Sequence, residues 1–311
     1  MFFGIKGFAK KAGVNFAEMS KFLYTFAPLF LKKNSERTNT KTKKMAEKKR
    51  ILLIAQELEP FTEGGLLAKL TNELAVNASE KNNFDLRVLM PRFGSINERR
   101  HRLHEVVRLS GMNIIVDSND YPLIIKVASL PQSRLQVYFL DNEEFFRRRA
   151  LFHDEETGEA FDDNIDRMTF FCKGALEIVK KFGWSPHIVH CHGFMSSLIP
   201  AYLKMAYKTE PLFQGAKIIY SQYEGIGKFP ISDSFFAKAS INNLVAKDLA
   251  AFKDGDMINL HKGALHFSDG LVNVTSEEIV VPENKKLLRH PQDEEALYIG
   301  DYMDFYRSFV S

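Results

Sequence analysis

The sequence has almost no cysteine: Cys172 and Cys191 are the only two in 311 residues. They fall in segments that read as a helix and a buried strand, which argues against a disulfide framework and fits a reducing compartment, the cytoplasm. Long apolar runs are missing as well. The stretch from Phe22 to Leu31 contains Pro28 and is about half the roughly 20 residues that span a bilayer. It ends in no small-residue cleavage site, so a secretory signal is poorly supported. There is no low-complexity tract and no internal repeat, and with 45% hydrophobic residues the chain can bury one large core or two modest ones. No Ser-His-Asp order, catalytic pair of glutamates or CxxC can be picked out, which leaves hydrolase and redox chemistry without support.

Charge is present but uneven. Residues 1–44 hold ten Lys or Arg against Glu18 and Glu36, so the overall +3 conceals a body with a net charge of −5. A mildly acidic body gives no footprint for nucleic acid, whose phosphates need clustered Lys and Arg on a folded surface. The basic stretch 1–44 is expected to be disordered, or to precede a true start at Met45; contact with an anionic membrane is expected only if it is translated.

Ile51-Leu52-Leu53-Ile54-Ala55 is a continuous apolar run of the kind found in parallel strands buried on both faces. Pro60 and Gly64-Gly65 then turn the chain, Leu66, Leu67, Leu70 and Leu74 follow at helical spacing, and 85–90 closes a βαβ unit. Residues 112–116 and 122–128 read as a β excursion and 135–140 as another strand. A long helix follows Asn164, 188–192 is a short buried strand, 197–207 a helix, 217–220 a strand, and 271–274 the last strand. The expected fold is α/β, a single Rossmann-like doubly wound parallel sheet over 45–281, with 282–311 as a helical tail.

Several positions invite chemistry, each with a plainer alternative. Gly64-Gly65 stands where backbone amides at a helix start receive a phosphate or sugar oxygen, but the pattern is not GxGxxG, and two glycines also serve a tight turn with positive φ. In His190-Cys191-His192, strand alternation puts both histidines on one face and Cys191 on the other. No fourth ligand with zinc-like spacing follows, so no metal is expected. His192 falls at the carboxyl end of a parallel strand, where open α/β sheets bind ligands; it is expected to face the ligand and His190 the core. Arg147-Arg148-Arg149 reads as solvated surface, and Asp162-Asp163-Asn164 with Arg167 as a helix cap.

Longer segments carry more. Ile51–Leu66 reads ILLIAQELEPFTEGGL, Val88–Gly94 VLMPRFG, Tyr138–Asn142 YFLDN, Asp163–Arg167 DNIDR and Trp184–His192 WSPHIVHCH. A Lys-Gly pattern then precedes Ser268-Asp269 and the ending Val274-Thr275-Ser276. In this order they resemble the N-terminal catalytic domain of bacterial glycogen synthases and starch synthases. The resemblance implies the N-terminal half of a GT-B glycosyltransferase, transferring glucose from ADP-glucose to an α-1,4-glucan without a cofactor. It makes His192 the catalytic residue and puts Gly64, Gly65, Arg167 and Gln222 at the substrate. The family's second lobe, which holds most of the nucleotide sugar, has no counterpart, so turnover would need a partner protein supplying it or an unusual single-domain mechanism. The family's loop lysine is replaced by Thr62 or Glu63 in a loop one residue shorter, an acidic residue by Ala68, an Asp-Trp pair by Gly193-Phe194, and a His-Asn pair by Ser221-Gln222. These departures leave open the alternative of a catalytically degenerate module that binds glucan or protein.

Overall fold

The computed structural model describes residues 48–131, 133–291 and 297–310. The basic stretch 1–44 lies outside them. In chain order the main elements are β1 (Arg50–Ala55), α1 (Leu66–Val76), β2 (Asp85–Pro91), α2 (Glu98–His101), β3 (His104–Glu105), β4 (Met112–Val116), β5 (Asn119–Ser129) and β6 (Gln136–Asp141). There follow α3 (Glu143–Phe146), α4 (Asn164–Phe182), β7 (Ile188–His192), α5 (Ile199–Lys204), β8 (Lys217–Gln222), β9 (Lys228–Pro230) and α6 (Asp233–Ala239). The last group is β10 (Lys253–Asp254), β11 (Met257–Asn259), α7 (Leu260–Phe267), β12 (Gly270–Asn273), β13 (Lys286–Arg289) and α8 (Ile299–Val310).

The large sheet runs β13-β12-β8-β7-β1-β2-β6-β5-β3, with β4 paired to β5. From β13 to β6 all neighbours are parallel; β5 then runs antiparallel to β6, β3 and β4 and forms the expected β excursion. Ile51 to Ala55 have no exposure, as a strand covered on both faces requires. From β1 the chain moves outward to β2 and β6, then returns through α4 to β7 on the other side of β1. The β1–β7 boundary is therefore the point where the winding reverses. Loops leaving the two strands part there, the place where open α/β sheets bind ligands.

Two expectations need correction. Residues 271–274 are not the last strand, because Lys286–Arg289 adds to β12 in parallel register, Leu271 opposite Leu287. The segment after 281 is accordingly a strand followed by a helix, and α8 packs against α1, β7 and β13, burying Tyr302, Met303 and Tyr306. A small sheet, β10-β11-β9, was not anticipated. No described helix is long and apolar enough to cross a membrane.

Candidate functional site

The junction at the β1–β7 boundary is built by register. Ala55 of β1 lies opposite His192 of β7, and His192 opposite Ser221 of β8, so the residues that follow these strands meet at one edge. Gln56 leaves β1 with its amide donating to His192 O at 3.2 Å. Its side-chain oxygen accepts from Met195 N at 3.4 Å, and its Nε2 donates to Glu57 Oε1 at 3.0 Å. Gly193 has φ +80°, and a Cβ there would sit 2.3 Å from Gln56 Oε1. Only glycine meets both conditions. The Gly193 that departs from the family-like Asp is thus the partner of the inserted Gln56 side chain.

Glu57 reaches the start of α1. A Cβ on Gly64 would lie 2.7 Å from Glu57 Oε2 and 2.8 Å from the Ala68 Cβ, so Gly64 is required by close approach. Neither Gly64 nor Gly65 has a positive φ, and a Cβ on Gly65 would meet nothing within 4 Å. The positive-φ explanation for the pair does not hold. Burial raises the Glu57 carboxyl above its usual range, only partly offset by the Gln56 hydrogen bond. Thr62, one of the two residues in the place of the family's loop lysine, is buried with its hydroxyl accepting from Leu58 N at 3.0 Å; Glu63 is exposed.

Strand alternation holds on β7: the rings of His190 and His192 share a face with centroids 3.9 Å apart. Cys191 and Cys172 are free and buried, and the Cys172 thiol on α4 donates to Met195 O. The contrast expected between a core His190 and a ligand-facing His192 is not found, since both have no exposure. His190 bridges Tyr306 OH and Ser221 Oγ, each at 2.7 Å. His192 Nδ1 bonds Tyr223 OH at 2.9 Å, while its Nε2 is buried without a partner. Burial lowers the His192 pKa to about 3 and that of His190 well below the usual value, so both rings are neutral at physiological pH.

Removing the Tyr306 hydroxyl tests how much α8 contributes here. Tyr306→Phe leaves a ring nitrogen of His190 buried and unpaired, and a loss of about 1–3 kcal/mol is expected in urea unfolding. An unchanged midpoint would mean that the bond is dispensable.

Gln222 and Tyr220 point to the opposite side of β8. Gln222 lines a cavity of about 400 Å³ with Lys228, His261 and Lys262, at the carboxyl ends of β8 and β12. His261 Nδ1 bonds Tyr220 OH at 2.8 Å, and burial lowers its pKa to about 4. Tyr223 lines the same cavity while its hydroxyl holds His192, so it joins the two groups. Gly64, His192 and Gln222 thus all lie along one carboxyl edge.

Arg167 does not join them. It lies in the first turns of α4 with no exposure, Nε donating to Phe145 O at 2.8 Å and Nη1 to Leu151 O at 2.6 Å and Asn164 Oδ1 at 2.9 Å. The rings of Phe93, Phe146 and Phe161 surround it at 5.6 to 5.7 Å. Nε and Nη1 serve the chain's own oxygens, while Nη2 is buried without a partner; the enclosed side chain has a structural task, and its role at the substrate stays a proposal. The expected cap on α4 also differs: Asp163 is the N-cap residue without a side-chain cap bond, and it pairs instead with Arg148. Arg148 is therefore not simply solvated surface.

Glu57, Tyr223 and Tyr306 join the site without belonging to the candidates that the sequence offers. Glu57 stands inside the segment 51–66, and Tyr223 follows Gln222 by one residue, so alternation alone would put it on the histidine face. Nothing local marks Tyr306.

Known proteins share this architecture. A family model described as the starch synthase catalytic domain matches residues 50–290. A glycogen synthase of Chlorobium luteolum is 38% identical over 170 residues, covering 55% of this chain and 35% of that protein. One of Chlorobaculum tepidum is 31% identical over 245 residues, covering 78% of this chain and 48% of that protein. The chain thus spans half or less of the length of these relatives. Among solved structures, the catalytic domain of starch synthase IV from Arabidopsis thaliana, bound to ADP and acarbose, superposes with a TM-score of 0.60 at 20% identity. It covers 72% of this chain and 44% of that one.

Proposed function

The chain belongs to the starch synthase catalytic domain family, and from that premise we propose that it is the α/β lobe of a glucosyltransferase using ADP-glucose and an α-1,4-glucan, working in the cytoplasm. The observation that carries this reading is the junction at the β1–β7 boundary. There Glu57 approaches the glycine turn, and Tyr223 holds His192 from the next strand. His192 would act as a neutral imidazole. With Nδ1 held by Tyr223, its partnerless Nε2 is the atom left for a sugar hydroxyl, once the buried ring is uncovered. Gly64, Gly65 and Gln222 would border the same ligand.

Departure of a nucleoside diphosphate needs positive charge placed where the negative charge develops. Gln56, Glu57, His192 and Tyr223 supply none; Lys228 and Lys262 on the Gln222 cavity would supply part of it, and a second lobe or a partner chain the rest. A second reading is a catalytically degenerate module that binds glucan or protein, and the complete burial of the His192 ring speaks for the loss of turnover in it.

Transfer of radiolabelled glucose from ADP-glucose to glycogen, measured with the purified chain alone and with a candidate second-lobe partner, separates the two. Transfer in either mixture supports the glucosyltransferase reading. Calorimetric binding of maltooligosaccharides, with neither transfer nor ADP-glucose binding, would replace it with the glucan-binding one.

A further inference from the structure

Beyond the histidine junction, three loops at the carboxyl ends of β1, β2 and β6 enclose a second cavity of about 330 Å³. Phe61 and Glu63 come from the β1–α1 loop, Arg100 and His101 from α2, and Arg149 from the segment after α3. The convergence is enforced by the backbone. Gly94 N donates to Arg148 O at 3.0 Å, and a Cβ on Gly94 would fall 1.9 Å from Arg147 O, so only glycine lets the loop after β2 lie against the segment that carries Arg149. On the other side the Phe61 ring packs edge-on against His101 at 5.0 Å and against Phe139 at 4.9 Å, which fixes the floor.

The charges around this cavity are unequal in their pairing. Asp141 and Glu98 are taken up by Arg92 and Lys126, with contacts of 2.7 to 3.4 Å, and Asp163 by Arg148. Arg100 and Arg149 have no ion-pair partner among the described residues, and Glu63 is the one carboxylate on the cavity wall. Two guanidinium forks on one small cavity match the several oxygens of a phosphoryl group better than the two of a carboxylate. An aromatic and aliphatic floor of Pro60, Phe61 and Leu151 suits the C–H face of a sugar ring. The volume is near the lower end of ligand pockets, about 300–1,000 Å³, which selects a single sugar over an oligosaccharide.

We propose that this cavity binds a sugar monophosphate, with Arg100 and Arg149 clasping the phosphoryl group and Phe61 beneath the sugar. Glu63 opposes the anion and sets a limit on affinity. The site stands apart from the glucosyltransferase reading: it needs no ADP-glucose, and a negative transfer assay leaves it intact.

Calorimetry on the whole chain at low salt, with inorganic phosphate, the 1- and 6-phosphates of glucose, glucuronate and glucose, tests it. At least one glucose phosphate should bind saturably and more tightly than inorganic phosphate, and glucose should not bind. Arg100→Gln and Arg149→Gln should each weaken binding about tenfold or more, the loss of one charge-assisted hydrogen bond. Both side chains are exposed, so melting temperatures should stay unchanged and report intact folding. Glu63→Gln should tighten binding several-fold. Glucuronate binding more tightly than both glucose phosphates, affinity unaltered by both arginine substitutions, or no saturable phosphate binding would each overturn the proposal.

Discussion

Arg167→Ala is expected to cost about 3–5 kcal/mol of stability, roughly a 10 °C fall in melting temperature, with no specific effect on ligand affinity. The side chain is the largest of the fully buried polar ones. The carbonyl of Phe145 belongs to the last turn of α3 and that of Leu151 to irregular chain, and buried carbonyls without a ladder or helix partner must find donors. Arg167 supplies them from one planar fork, while Phe93, Phe146 and Phe161 pack around the guanidinium. Burial lowers its pKa to about 10, the charge of Asp163 working the other way, so the group remains charged at neutral pH. Alanine removes the packing and both donors together. Arg167→Met restores volume without the hydrogen bonds and should fall between alanine and the parent chain. Thermal and urea melts decide the matter: an unchanged melting temperature with weakened ADP-glucose binding would return Arg167 to the substrate.

Acid should weaken the fold well above the range in which ordinary carboxylates titrate. His192 and His261 are buried as neutral rings with pKa values of about 3 and about 4, against about 6.5 in an unfolded chain. As pH falls, the unfolded chain takes up protons that the folded one refuses. The stabilisation is complete above about 6.5 and is lost down through about 4 and then about 3. At pH 5 each histidine accounts for about 2 kcal/mol of lost stability, roughly 4 kcal/mol together. His190, also lowered by burial and by the neighbouring His192, acts in the same direction. Glu57 opposes them, because its raised pKa means the folded state holds a proton more readily as pH falls. Urea midpoints at pH 7.5 and pH 5 measure the difference. Equal midpoints would mean that the rings are protonated in the folded state, which their burial forbids.

The parts of the fold that were legible in the sequence are those with a local signal. The apolar run 51–55 announces a fully covered central strand, and the helical spacing of Leu66 to Leu74 announces α1. Alternation correctly puts His190 and His192 together. Lys286–Arg289 reads KLLR, too short and too charged to stand out, and it becomes a strand only because β12 offers it an edge. The site was harder for the same reason. That Gly193 yields its space to Gln56 depends on Ala55 lying opposite His192, a register set by the whole sheet. The enclosure of Arg167 was not legible either, because the rings around it come from positions 93, 146 and 161, a relation no spacing expresses. Tyr306 reaches His190 across 116 residues.

The departures from the family pattern have a common physical sense. Glycine at 193 accommodates Gln56, and Ala68 stands where Gly64 closes on α1. The junction is organised around its own side chains, and on the proposed reading a ligand reaches His192 only if a ring with no exposure is opened. Backbone amide NMR during titration with ADP-glucose tests this account most directly. Saturable shifts centred on Gln56, Glu57, Gly64, Gly193 and Tyr223 are the predicted result; no saturable binding, or shifts confined to surfaces away from the β1–β7 edge, would contradict it.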